Sequence, residues 1–190
     1  RLAHRHHVPA LGLTGADGGL LVGRLLVPED TTPSAAPAPS SDPRPDTRTA
    51  RPHRIDPAVL KMALASGYLP IVATVGTGED GGAVNINADE AAQAIAEALD
   101  GATLCYLSDI PGVLDGAGSV LREIDPGTIE SLISSGVVRD GMAAKLRSCA
   151  VAVTSRVGEV VIGRYLKRGD LESLIHGNGG STIRPMQGTG

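Results

Sequence analysis

Tryptophan and phenylalanine are missing altogether from these 190 residues, and the only tyrosines are Tyr68, Tyr106 and Tyr165. The core must then be built from Ala, Val, Leu and Ile, and a nucleic-acid surface that stacks bases on aromatic rings loses its platform. Positive charge is also short, with 17 Lys and Arg against 21 Asp and Glu, a net charge of -4. No Lys/Arg stripe follows a predicted helix, so no nucleic-acid partner is expected. A small anionic ligand stays open. No apolar run approaches the ~18 residues that span a bilayer, and no signal-like segment opens the chain, so no membrane partner and a cytoplasmic location are expected. Cysteine is scarce too: Cys105 and Cys149 each sit in an apolar run and read as core thiols in a reducing compartment rather than as a disulfide. His4, His6, His7, His53 and His176 offer no second ligand pair at metal spacing. A metal site is therefore not expected, and neither is a Ser-His-Asp or Cys-His arrangement.

What is present suffices for one domain with a continuous core plus a linker, since 42% of the residues are hydrophobic. The chain opens without Met, at Arg1-Leu2-Ala3-His4, as a fragment would. Val8 to Leu13 and Leu20 to Val27 read as strands joined by a turn-rich loop. From Pro28 to His53, Pro, Ser, Thr, Asp and Arg replace any periodic apolar face, which predicts a mobile surface insertion. Asp56-Pro57 then reads as a helix start and Gly67 as its stop. Leu69 to Val75 is a near-continuous apolar run, the pattern of a strand buried on both faces of a parallel sheet. Asp89 to Leu99 reads as an amphipathic helix and Thr103 to Leu107 as a buried strand. Pro126 to Ile133 and Met142 to Val153 follow as helices, Val160 to Ile162 as a strand, Leu171 to Ile175 as a helix and Ser181 to Arg184 as a strand. Alternating strands and helices predict an α/β sandwich.

Three constellations could carry chemistry. In Gly81 to Asp89, Asn85 and Asn87 alternate along an extended segment that feeds a helix, and Asp89 falls in the first turn, where free N–H groups favour negative charge or a bound anion. An ordinary turn with a helix-starting Asp is the plainer alternative. Ser108 to Asp115 follows a buried strand, at the strand end where α/β sheets hold ligands, with Pro111-Gly112 turning the chain. A plain strand-to-hairpin connection explains it equally simply. In Val137 to Lys145, Lys145 lies on the flank of the stripe Met142, Leu146, Cys149, Ala150 and Val153, one turn from a helix start. It can hold a phosphate there, or snorkel to solvent as helical lysines commonly do.

In this order, Ala10 to Gly19, Asn85 to Asp89, Ser108 to Leu114 and Asp140 to Lys145 resemble the N-acetylglutamate kinases of the amino acid kinase family. The resemblance covers about Arg1 to Arg184, apart from the Pro-rich stretch. It implies a three-layer αβα sandwich with a mostly parallel sheet, a homo-oligomer in the intact enzyme, and arginine biosynthesis as the setting. The implied reaction transfers the γ-phosphoryl of ATP, with Mg2+, to the γ-carboxylate of N-acetyl-L-glutamate. Residue by residue, Lys145 and Asp89 match catalytic positions, and Asn85 and Asn87 the substrate-binding segment. Asp109, Ile110, Pro111, Gly112, Val113 and Leu114, with Val137, Val138 and Arg139, match nucleotide-binding stretches. Residues 1–27 would be the end of the substrate lobe, 28–53 an insertion, 54–185 the nucleotide-binding lobe and 186–190 a tail. The family's N-terminal phosphate loop and first catalytic lysine precede the region matched by Arg1, so a truncated chain, nearly inactive alone, is expected. A kinase for another amino-acid carboxylate, such as a carrier-bound aminoadipate, and a non-catalytic nucleotide-binding module are the alternatives.

Overall fold

The computed structural model describes residues 6–26, 48–100 and 102–185. The Pro-rich stretch expected to be a mobile insertion lies, over residues 28–47, outside the described residues, as do the Ala-His start and the tail 186–190. The chain divides into two compact units, Arg1–Ile95 and Ala96–Gly190.

In the first unit, β1 (Ala10–Thr14) leads through a short 3₁₀ turn, Asp17–Gly19, into β2 (Leu21–Leu25). The Asp17 carboxylate ties this turn by accepting the Thr14 N–H at 2.6 Å and the Thr14 hydroxyl at 2.9 Å, and these bonds hold its pKa below the ordinary carboxylate value. Next come β3 (Thr49–Ile55), α1 (Ala58–Ala65), β4 (Leu69–Ala73), β5 (Val75–Gly78), β6 (Ala83–Ile86) and the start of α2 (Ala88–Leu99). Asp56 starts α1 as its sequence predicts, accepting the Ala58 N–H at 3.0 Å. Strands β2, β3, β6 and β5 close on one another in that order, while β1 and β4 form a separate parallel pair. Leu20, Leu21, Ala50, Leu60, Val84, Ile86 and Ala91 form the core beneath them.

Two expectations need correction here. Thr49 to His53 is not irregular: it belongs to β3, antiparallel to β2 and parallel to β6. Pro52, which has no N–H to give a ladder, is accommodated because the β2/β3 register shifts at Val22/Gly23, next to its partner Gly23. Nor is β4 buried on both faces. Its residues alternate, with Leu69 and Ile71 52% and 54% exposed while Val72 packs on the core. The layers that cover a strand are set by its tertiary neighbours, and its apolar run does not reveal their number.

The second unit holds β7 (Thr103–Ser108), β8 (Glu123–Ile124), a 3₁₀ turn at Pro126–Thr128, α3 (Ile129–Ser134), α4 (Asp140–Ser155), β9 (Glu159–Arg164), α5 (Asp170–Ile175) and β10 (Ser181–Ile183). Strand order is β7-β9-β10-β8. The segment read as one helix from Pro126 to Ile133 is thus split, with Asp125 accepting the Gly127 N–H at 2.7 Å at its start. Helices cover both faces of this sheet. Ile162 pairs with Tyr106, whose ring lies under Lys145 of α4, whereas the adjacent Gly163 lies against Leu174 of α5. Neighbouring strand residues point to opposite faces, so α4 and α5 flank the sheet as outer layers. Among the described residues, five of eight strand pairings are parallel, which makes the fold mixed α/β with mainly parallel sheets. No described helix is long and apolar enough to cross a membrane.

Candidate functional site

In the first unit the candidate residues cluster where β6 becomes α2. Val84 and Ile86 enter the core, so the alternate residues Asn85 and Asn87 are presented outward. The two do different work locally. Asn85 is held by the ladder, its N–H donating to the Arg48 carbonyl at 2.7 Å. Asn87 caps α2: its Oδ1 accepts the N–H groups of Asp89 at 2.9 Å and Glu90 at 3.3 Å. The sequence placed Asp89 in the first helical turn, and it is there, exposed, with Glu90 beside it. Its carboxylate sits where the helix dipole favours negative charge.

In the second unit, Lys145 is on α4 as its spacing required, partly buried rather than turned to the polar back of the helix. Its ammonium stands 4.8 Å from the centroid of the Tyr106 ring. Within ~6 Å a ring face attracts a cation, so the buried Tyr106 fixes the lysine against β7, two residues before that strand's carboxyl end. Ring and charge together make this a placed cation.

The chain leaving β7 passes through Asp109, exposed and accepting from the Ser108 hydroxyl at 3.2 Å, then Ile110 and Pro111, to the buried Gly112 and Val113. A small hairpin follows, bridged between Leu114 and Val120. Asp115 organises its tip, since its Oδ1 accepts the N–H groups of Ala117 and Ser119, each at 2.8 Å. The second expected nucleotide stretch meets this hairpin: a Cβ on Gly116 would lie 4.0 Å from Val137. Val138 is buried, and Arg139 bends back to donate from Nε to the Gly136 carbonyl at 2.8 Å. Asp109 to Leu114, Val137 to Arg139 and Lys145 therefore belong to one unit and one end of its sheet. Asn85, Asn87 and Asp89 belong to the other unit.

Several residues here were not singled out from sequence. Beyond the carboxyl ends of β7 and β9 lies a cleft of about 550 Å³, lined by Pro111, Arg164, Leu166, Lys167, Asp170 and Asn178 among others. Asp170 shapes its rim by accepting the N–H groups of Leu166 at 2.8 Å and Lys167 at 2.9 Å, and these bonds lower its pKa. Burial raises the pKa of the Cys105 thiol, and Cys105 and Cys149 form no disulfide. Tyr106 and Ser181, whose hydroxyl accepts the Val113 N–H, act through contacts distant in sequence. Asp115, in the turn-forming Asp-Gly-Ala-Gly sequence, and Asp170, whose partners lie three and four residues back, act locally.

A family model described as the amino acid kinase family matches residues 5–164. The chain is 36% identical over 179 residues to an acetylglutamate kinase of Novosphingobium aromaticivorans, covering 92% of this chain and 59% of that protein. An acetylglutamate kinase of Gluconobacter oxydans is 36% identical over 186 residues, covering 97% of this chain and 62% of its own length. The chain thus spans about three-fifths of the length of these curated relatives. Among solved structures, a Giardia carbamate kinase superposes with a TM-score of 0.64 at 19% identity, covering 96% of this chain and 66% of that one, which is a likeness of fold.

Proposed function

Since the chain belongs to the amino acid kinase family, we propose that it forms the nucleotide side of an enzyme that phosphorylates the γ-carboxylate of N-acetyl-L-glutamate with ATP. The observation that carries this reading is the placed cation: Lys145, held on the Tyr106 ring at the carboxyl end of a parallel strand, in the same unit as the 109–114 and 137–139 loops. The names of the relatives favour acetylglutamate over other amino-acid carboxylates.

The chemistry asks little covalent work of the protein. A carboxylate acceptor is already ionised at neutral pH, so no general base is needed. What remains is alignment and neutralisation of charge on the phosphoryl oxygens. Lys145 supplies the charge, Asp109 and the loop amides bind and orient the nucleotide, Asn85 and Asn87 contact the acetylglutamate, and Asp89 orients cationic groups. Among the described residues no three His, Cys, Asp or Glu side chains could cage a metal. Mg2+ commonly arrives with the phosphates and takes one or two carboxylates, so it is written here as part of the nucleotide co-substrate.

In this reading residues 54–185 form the nucleotide-binding lobe, which also carries the Asn85 to Asp89 substrate segment, and residues 1–27 belong to the substrate lobe. The setting is arginine biosynthesis in the cytoplasm, in keeping with two cysteines that form no disulfide, and the whole enzyme is a homo-oligomer. Isothermal titration with Mg2+ and AMP-PNP tests the nucleotide half. Saturable binding that Lys145→Ala and Asp109→Ala each weaken about tenfold or more is expected; no heat from a cooperatively melting chain overturns it.

A further inference from the structure

The loop carrying Asp109 to Leu114 is tied down from far along the chain. Ser181, the first residue of β10, is fully buried, and its Oγ accepts the Val113 N–H at 2.8 Å across 68 positions of sequence. The same Oγ lies 2.8 Å from where a Cβ on Gly112 would stand, with the Gly180 carbonyl carbon 3.2 Å away. No side chain fits between the loop and β10. Gly180, at φ +67°, is pressed as closely on the other side, since a Cβ there would lie 2.4 Å from the Ile162 carbonyl oxygen of β9. The loop after β7 and the start of β10 therefore meet at this hydroxyl, with β9 packed against Gly180 beside it.

Burying a hydroxyl costs stability unless it makes a hydrogen bond, and so does burying an amide. Each group here answers the other's need. Alanine in place of Ser181 would strand the Val113 N–H in a site that the close glycine backbones leave little room to relax. We infer that Ser181 is a positioning residue for nucleotide binding: it fixes the backbone of Gly112 and Val113, and through it the aim of Asp109 and the loop amides, without touching the nucleotide. This rests on the nucleotide reading of residues 109–114 given above.

The full chain is titrated with Mg2+ and AMP-PNP as wild type, Ser181→Ala, Ser181→Cys and Ile183→Val, at a temperature where all are folded. Ile183, fully buried on the same strand, serves as the control for general loss of packing. Ser181→Ala is expected to raise Kd about tenfold, and Ser181→Cys, a weaker acceptor of similar size, by less. Ile183→Val should lower Tm and leave Kd within about twofold. Hydrogen exchange at Val113 should quicken in Ser181→Ala alone. An unchanged Kd in Ser181→Ala, with wild type binding normally, overturns the inference by itself. A Kd raised equally by Ile183→Val also overturns it, because the effect is then one of packing. Absence of saturable binding by wild type is a different failure, that of the nucleotide reading.

Discussion

At the scale of single residues, a placed charge differs from an ordinary surface charge by what stands beneath it. Helical spacing put Lys145 on the edge of an apolar stripe but could not say whether it would snorkel, because its partner Tyr106 lies 39 positions earlier on β7. The same limit applies to Asn87. Its alternation with Asn85 was legible, yet its side chain is engaged in capping α2, a role that only the helix start at Ala88 reveals. If the ring positions the cation, Tyr106→Leu should weaken AMP-PNP binding about two- to thirtyfold, because a cation–π contact contributes roughly 0.5–2 kcal/mol depending on desolvation. Tyr106→Phe retains a ring face and should lose less than Tyr106→Leu. Titration of the two variants separates them, and equal losses would leave the ring no electrostatic role.

At the scale of elements, the strands and helices that a local pattern can specify were largely readable: β1, β2, β7, β9 and β10, and α1, α2, α4 and α5, all lie where periodicity, caps and turn residues put them. Those decided by partners were not. β3 forms from a Thr-Ala-Arg-Pro-His sequence because β2 and β6 flank it, and the exposure of Leu69 and Ile71 on one face of β4 is set by what packs on that face, which the apolar run does not encode. The rim of the cleft after β9 is local by contrast, since Asp170 organises it through N–H groups three and four residues back. These bonds lower the folded-state pKa of Asp170. A carboxylate whose folded pKa is depressed adds stability above its unfolded value, ~3.9, and loses it as pH falls through the folded value. Below about pH 4, therefore, the 164–170 segment and α5 should loosen. Hydrogen exchange at Leu166 and Lys167, followed from pH 6 downward, should accelerate in wild type as the carboxylate protonates, after the intrinsic pH dependence is removed. In Asp170→Asn exchange should be faster at pH 6 and show no such step.

At the scale of the molecule, the class of fold could be read because alternation of strand and helix is a property of the whole sequence, whereas the division into Arg1–Ile95 and Ala96–Gly190 could not, since it falls inside a continuous helix. That division makes the functional reading testable as a whole. A ligand that binds only the folded state stabilises it by RT ln(1 + [L]/Kd), about 2.7 kcal/mol at a hundredfold excess over Kd, and the gain appears where its contacts are. The residues assigned to the nucleotide, Asp109 to Leu114, Val137 to Arg139 and Lys145, all lie in the second unit. Saturating Mg2+ and AMP-PNP should therefore slow exchange most strongly at 104–114 and 137–150. Protection at β6 and the start of α2, where Asn85 to Asp89 lie, should change less. N-acetyl-L-glutamate should produce the opposite pattern if those residues contact it. Protection confined to 10–95 on adding the nucleotide would reverse the assignment of the two units, and protection at neither, from a chain that melts cooperatively, would overturn the nucleotide reading of the second unit.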